Sequence, residues 1–123
     1  MKLKLYKKTY KIERLPFDAE IPVNIYNGEF YNITKTDDEL SVICDESVSL
    51  ESEKSDGGWR ILKFVESMDL SLFGITAKIT TVLAKAECNI LAEATYNTDF
   101  ICVKEKQLEK AITALESNGY EVL

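Results

Sequence analysis

From Trp59 to Leu123 the hydrophobic period switches four times between two and 3.6, and this limits the possible folds more than any other feature of the chain. Trp59–Glu66 sets Ile61 and Val65 against Leu62 and Phe64. Apolar groups on both faces are what a central strand covered on two sides requires. From Leu72, apolar residues recur at Ile75, Ile79, Val82, Leu83 and Ala86, one helical stripe. Thr76, Lys78, Thr80, Thr81 and Lys85 lie away from it. Asp69 and Ser71 both suit the N-cap of this helix, and Gly74 falls in its first turn. Asn89–Tyr96 reads as a strand whose Ile90, Ala92 and Ala94 share a face, small enough for a helix to pack close. Asn97-Thr98 turns the chain and Phe100–Val103 pairs back. Glu105–Asn118 reads as a second amphipathic helix with Leu108, Ala111, Ile112 and Leu115 on one face, Gly119 as its C′ residue and Tyr120–Leu123 as a last short strand.

The order β-α-β-β-α-β is the ferredoxin-like arrangement, a four-stranded antiparallel sheet with both helices on one face. The first half echoes it without the helices. Residues 3–15 alternate apolar and charged groups with a break near Lys7-Lys8, as a half-buried strand does, and Pro16 ends the run. Residues 16–28 hold Pro16, Pro22 and Asn27-Gly28, too much punctuation for more than one helical turn. Phe30–Thr34 and Leu40–Cys44 read as a hairpin around the turn at 36–39. Residues 45–58 are polar, end in Asp56-Gly57-Gly58, and read as a surface loop or linker. The fold class is therefore α+β, with a helix-poor module at 1–57 and the βαββαβ module at 58–123. A first half without long helices has nothing of its own to cover its sheet face.

A length of 123 residues fits one domain or two very small modules. A net charge of −6 argues against a nucleic-acid surface, which needs a basic stripe. No apolar run approaches the ~18 residues of a membrane span. Met1-Lys2-Leu3 is followed by alternating lysines, so no export signal is expected. Cys44, Cys88 and Cys102 are an odd number without a Cys-x-x-Cys pair, which reads as buried reduced thiols in a cytoplasmic protein. The absence of histidine removes the commonest general base and the commonest zinc ligand together. No metal site, cofactor or catalytic residue is expected. Asp69 and Asp99 would be the carboxylate pair of an enzyme, but no nucleophile, metal cluster or phosphate loop accompanies them.

Two short pieces carry the candidate site. A helix N-terminus offers unpaired N–H groups and about half a positive charge, which attract carboxylates. Glycine within a helix costs about 1 kcal/mol relative to alanine, so Gly74 implies either a backbone approach to a ligand or tight packing on the sheet. The turn Tyr96-Asn97-Thr98-Asp99 supplies hydroxyl, amide and carboxylate groups, though such residues also suit turns for local reasons. If the two pieces meet, one supplies donors for an anion and the other an acceptor for a cation. A free amino acid carries both charges.

Beyond topology, Gly58-Trp59-Arg60-Ile61-Leu62-Lys63, Met68-Asp69-Leu70-Ser71-Leu72-Phe73-Gly74-Ile75, Leu83-Ala84-Lys85-Ala86 and the run from Ala94 to Lys104 resemble the ACT domain family. The pieces 30–36 and 38–44 fit as well, so the likeness covers nearly the whole chain. It resembles most the branch of short, stand-alone tandem-ACT proteins that includes the arginine sensors of animal TOR signalling. The resemblance implies a C-terminal ACT module preceded by a degenerate ACT-like one, acting as a homodimer that binds a free amino acid where ACT units meet. Carried over by position, the ligand-binding residues are Asp69, Ser71, Leu72, Gly74 and Ile75 on the loop side and Tyr96, Asn97, Thr98 and Asp99 on the hairpin. Many enzyme-fused ACT domains have Pro-Gly in the loop, where this chain has Phe73-Gly74. With no attached catalytic or DNA-binding domain, an amino-acid signal would reach its output through a protein partner. The alternative is a protein-interaction module without a small-molecule ligand. An RNA-binding module of the same topology needs exposed aromatics and a basic surface, and the charge has the wrong sign.

Overall fold

The structure, a computed structural model, describes residues 1–65 and 74–123. They form two compact units: residues 1–7 with 59–123, and residues 8–58. The strands are β1 (Lys2–Leu5), β2 (Tyr10–Leu15), β3 (Asn32–Lys35), β4 (Leu40–Asp45), β5 (Lys54–Phe64), β6 (Ile90–Ala94), β7 (Asp99–Lys104) and β8 (Glu121–Val122). The helices are α1 (Ile75–Lys85) and α2 (Leu108–Ser117), with 3-10 turns at Val23–Asn27 and Glu105–Gln107.

The first unit is helical and has the expected order β5-α1-β6-β7-α2-β8. Its sheet has five strands rather than four, in the order β8-β1-β5-β7-β6. The N-terminal strand enters between β5 and β8, antiparallel to β5 (Leu3 opposite Phe64) and parallel to β8 (Leu3 opposite Val122). Strand alternation aims Leu3, Leu62, Phe64, Ile101 and Val103 at one face, where Ile79 and Leu83 of α1 and Ala111 and Leu115 of α2 seal them from water. Ile61 and Cys102, opposite each other on the other face, are also fully buried. The two-sided apolar pattern of β5 therefore reports burial on both faces.

Both helices end in the same hydrogen-bonded device. Gly119 N–H donates to Glu116 O (3.2 Å) and Tyr120 N–H to Leu115 O (3.0 Å), the paired bonds of a Schellman motif, with Gly119 at φ +89° as its left-handed residue. At the end of α1, Glu87 N–H donates to Ala84 O (2.9 Å) and Cys88 N–H to Leu83 O (3.0 Å). There the left-handed position is held by Glu87 at φ 60°.

The second unit is helix-poor. Its β4 pairs antiparallel with β2 (Leu15 opposite Leu40) and with β3 (Ile33 opposite Val42). Its core is Leu15, Ile25, Leu40, Val42, Cys44 and Val48, with Ala19, Ile21 and Leu50 packed against it. The Pro-rich connection thus covers a sheet face that was expected to lack a cover. Ala19 N–H donates to Pro16 O (2.9 Å) and Ile25 N–H to Pro22 O (3.2 Å), which fold residues 16–28 down so that Ile25 is 1% exposed.

Two further expectations are corrected here. Residues 54–58 are strand, not linker. The Glu46 carboxylate accepts from Gly58 N–H (2.7 Å), and a Cβ on Gly57 would push that carboxylate aside, lying 2.5 Å from the same oxygen. Lys11 and Glu13, which alternation alone marks as polar, lie on the core-facing side of β2 as a 2.7 Å ion pair, with Glu13 3% exposed. The Lys11 ammonium also donates to Val48 O.

Candidate functional site

Gly74 is the N-cap of α1, not a residue of its first turn, and stands at φ +83° in the left-handed region. Its carbonyl accepts from Lys78 N–H (2.9 Å) to close the first helical turn. No side chain caps this helix start among the described residues. Nor does any of their atoms lie within 4 Å of a Cβ built on Gly74. Glycine therefore serves the backbone conformation here, and no close packing among the described residues requires it. Asp69, Ser71 and Leu72, with the expected capping roles of the first two, lie outside the described residues.

The hairpin between β6 and β7 is tied by Thr95 and Thr98. Thr95 N–H donates to Thr98 O (2.9 Å), and the Thr95 hydroxyl accepts from Thr98 N–H (3.3 Å). Thr98 itself is buried and donates its hydroxyl to Phe64 O (3.1 Å), fixing the turn to the end of β5. Tyr96 and Asn97 project outward, Tyr96 being 82% exposed. At the first residue of β7, the half-buried Asp99 accepts a 2.7 Å hydrogen bond from the Thr76 hydroxyl on the first turn of α1.

This bond brings together the helix start and the hairpin. Beside it lies a cleft of about 90 Å³ lined by Thr76, Ala92, Ala94, Asp99 and Ile101. It exists because Ala92 and Ala94, on the same side of β6 as the core residue Ile90, are too small to fill the space under α1 and remain exposed. A second cleft, of about 290 Å³, opens beside Gly74 and Ile75 and is completed by Lys78, Met1, Asn118 and Gly119. The nine residues selected from sequence are thus divided. Gly74 and Ile75 line one cleft, Asp99 another, Thr98 holds the backbone, and Tyr96 and Asn97 line neither.

Thr76, Lys78 and Asn118 were not singled out from sequence. Thr76 and Lys78 lie on the polar side of α1, which periodicity records only as solvent-facing. Asn118 arrives through the Schellman turn at the end of α2, a signal that Gly119 did carry.

The three cysteines are held as protonated thiols. Burial pushes the Cys44 thiol up to about 11 and the Cys102 thiol up to about 12, and raises that of Cys88 as well. A thiol kept protonated is a poor nucleophile. All three are unpaired, and the described residues hold no group of three metal donors.

Comparison with known proteins gives consistent results. The family model for the ACT domain matches residues 54–117, and a separate family model for an N-terminal domain matches residues 8–49. No curated protein matches. A crystal structure of a protein from Agrobacterium tumefaciens is 31% identical with a TM-score of 0.89, over 99% of this chain and 91% of that one. Aspartate kinase from Clostridium acetobutylicum, an allosteric enzyme, is 15% identical with a TM-score of 0.68, over 94% of this chain and 34% of that one. The regulatory subunit of aspartate kinase from Thermus thermophilus is 11% identical with a TM-score of 0.61, over 90% and 91%. The last two are likenesses of fold.

Proposed function

The chain belongs to the ACT domain family, and from that premise we propose that it is a non-catalytic regulatory protein that binds a free amino acid beside the start of α1. The observation that carries this reading is the Thr76–Asp99 bond, which sets a carboxylate next to a helix start that no described side chain caps. The charges of an amino acid match that pair: its carboxylate suits the helix amides, and its ammonium suits the second oxygen of Asp99. Burying either charge without a partner costs several kcal/mol, so the pairing selects for a ligand with both.

The cleft of about 90 Å³ has room for the ammonium end of an amino acid beside Asp99. We assign the rest of the site to a second copy of the chain, and the working form to a homodimer that signals through a protein partner. The unpaired thiols support a cytoplasmic setting. We read 1–57 as a degenerate ACT-like module ahead of the ACT domain at 58–123, with residues 1–7 lending their strand to the sheet of the second module.

A thermal-shift screen of the twenty amino acids tests the reading. A true ligand at about 100 times its Kd stabilises the protein by roughly 2.7 kcal/mol. Titration calorimetry of Asp99→Asn is then expected to show about tenfold weaker binding, the loss of one charge-assisted hydrogen bond. Thr76→Val is expected to lose less. A screen without any stabiliser would sink the sensor reading in favour of a pure interaction module, and unchanged affinity in Asp99→Asn would move the site elsewhere.

A further inference from the structure

The net charge of −6 is not shared between the units. Residues 8–58 hold twelve carboxylates and five bases, and the other residues nine and ten, so the helix-poor unit carries −7 and the helical unit +1. The same acidic unit exposes large apolar groups: Val23 is 80% exposed, Tyr26 54% and Phe17 49%. Of these, Val23 lines a cleft of about 640 Å³ shaped by the Pro16 and Pro22 turns, while Phe17 lies under the Lys35 ammonium and Tyr26 packs on Tyr31. Leu15, Ile21 and Val23 give it an apolar floor, and Asp18, Glu20 and Glu51 line it with carboxylates. No base lines it, and these three carboxylates make no ion pair or hydrogen bond among the described residues.

We propose that this cleft is a docking surface for a segment of a partner protein in which lysine or arginine alternates with apolar residues. The inference goes beyond the amino-acid site, which lies in the other unit. Apolar groups left in water on a rigid turn favour burial under a partner, and the unpaired carboxylates specify the sign of that partner's charge. Other occupants fit less well. A second copy would bring −7 against −7 at this face, and nucleic acids and anionic membranes are repelled in the same way. A metal ion has no three-donor cluster among the described residues.

The test uses the full chain, labelled with nitrogen-15, and two short synthetic peptides of identical apolar residues, one alternating with lysine and the other with glutamate. The lysine peptide is expected to shift the amides of Ala19, Ile21 and Val23, with affinity falling as salt rises, and the glutamate peptide to shift none. E20K with E51K is expected to weaken the lysine peptide roughly tenfold or more, and Val23→Ser to weaken it severalfold with the charge unchanged. E109K on the exposed side of α2 is expected to leave it as it was. Equal response to both peptides, shifts centred on other residues, or indifference to E20K/E51K would overturn the proposal. So would shifts of these amides with protein concentration alone, which would assign the face to a second copy, or with anionic vesicles, which would assign it to a membrane.

Discussion

The two units solve the same problem, covering a sheet face, by different means. In the helical unit, two amphipathic helices lay Ile79, Leu83, Ala111 and Leu115 over the strands. In the helix-poor unit, a loop held by two prolines lays Ala19, Ile21 and Ile25 over them. A helix satisfies its own backbone and presents a uniform apolar stripe. A loop presents fewer apolar groups, and here polar side chains share the covered side, with Lys11 and Glu13 buried together next to Leu15. The cost is dependence on charge pairing, and several ways to break or sharpen the contrast follow from it.

The largest effect is expected at Lys11. Lys11→Met leaves the buried Glu13 carboxylate without its cation and with only Ser52 and Ser55 as donors, which destabilises by about 3 kcal/mol, the low end for a broken buried pair, read by urea unfolding. Replacing Glu13 by Leu in the same chain is expected to recover most of the loss, because two apolar groups need no partner. If the single variant is as stable as the parent, the loop-covered core does not depend on the pair.

Smaller effects separate the left-handed positions of the helical unit. Gly74→Ala forces a side chain into φ +83° and is expected to cost about 1–2 kcal/mol. Glu87→Gly relieves the same strain at the end of α1 and is expected to add about 1 kcal/mol. Thermal unfolding of the two variants should therefore move in opposite directions.

Acid should divide the units. Burial pushes the Glu13 carboxyl up, but hydrogen bonds from Lys11, Ser52 and Ser55 outweigh it and hold the group below the ordinary 4.5. The Ser47 N–H, chiefly, holds Asp45 below 3.8. Both contributions to stability are present above those ordinary values and are lost as pH falls through the lower folded ones. In the helical unit burial raises Glu93. Its folded form binds the proton more tightly, so acid adds stability there, complete once pH is below 4.5. Amide exchange at low pH is expected to open Tyr10–Leu15 before Asp99–Lys104, and the reverse order would refute the assignment.

Much of this was legible beforehand. The stripe from Ile75 to Ala86, the Gly119 stop and the break at Lys7-Lys8 each follow from local chemistry, and each stands. Residues 54–58 did not read as strand because Ser, Asp and Gly have poor strand propensity, while their pairing is decided by neighbours far along the chain. The site was legible only in outline. Asp99 was visible as a turn carboxylate, but its partner Thr76 stands 23 residues away and had no local mark.

The sequence alone determined both helices and most of the strands, residues 54–58 excepted, because period and punctuation act within a few residues. It also determined the sign of the charge and the absence of histidine chemistry. Only the tertiary structure decided that β1 lies between β5 and β8, that Lys11 and Glu13 are core, and that Thr76 meets Asp99. Those are long-range pairings. The free energy that selects among them comes from burial and hydrogen bonds between distant residues, for which local pattern carries no code.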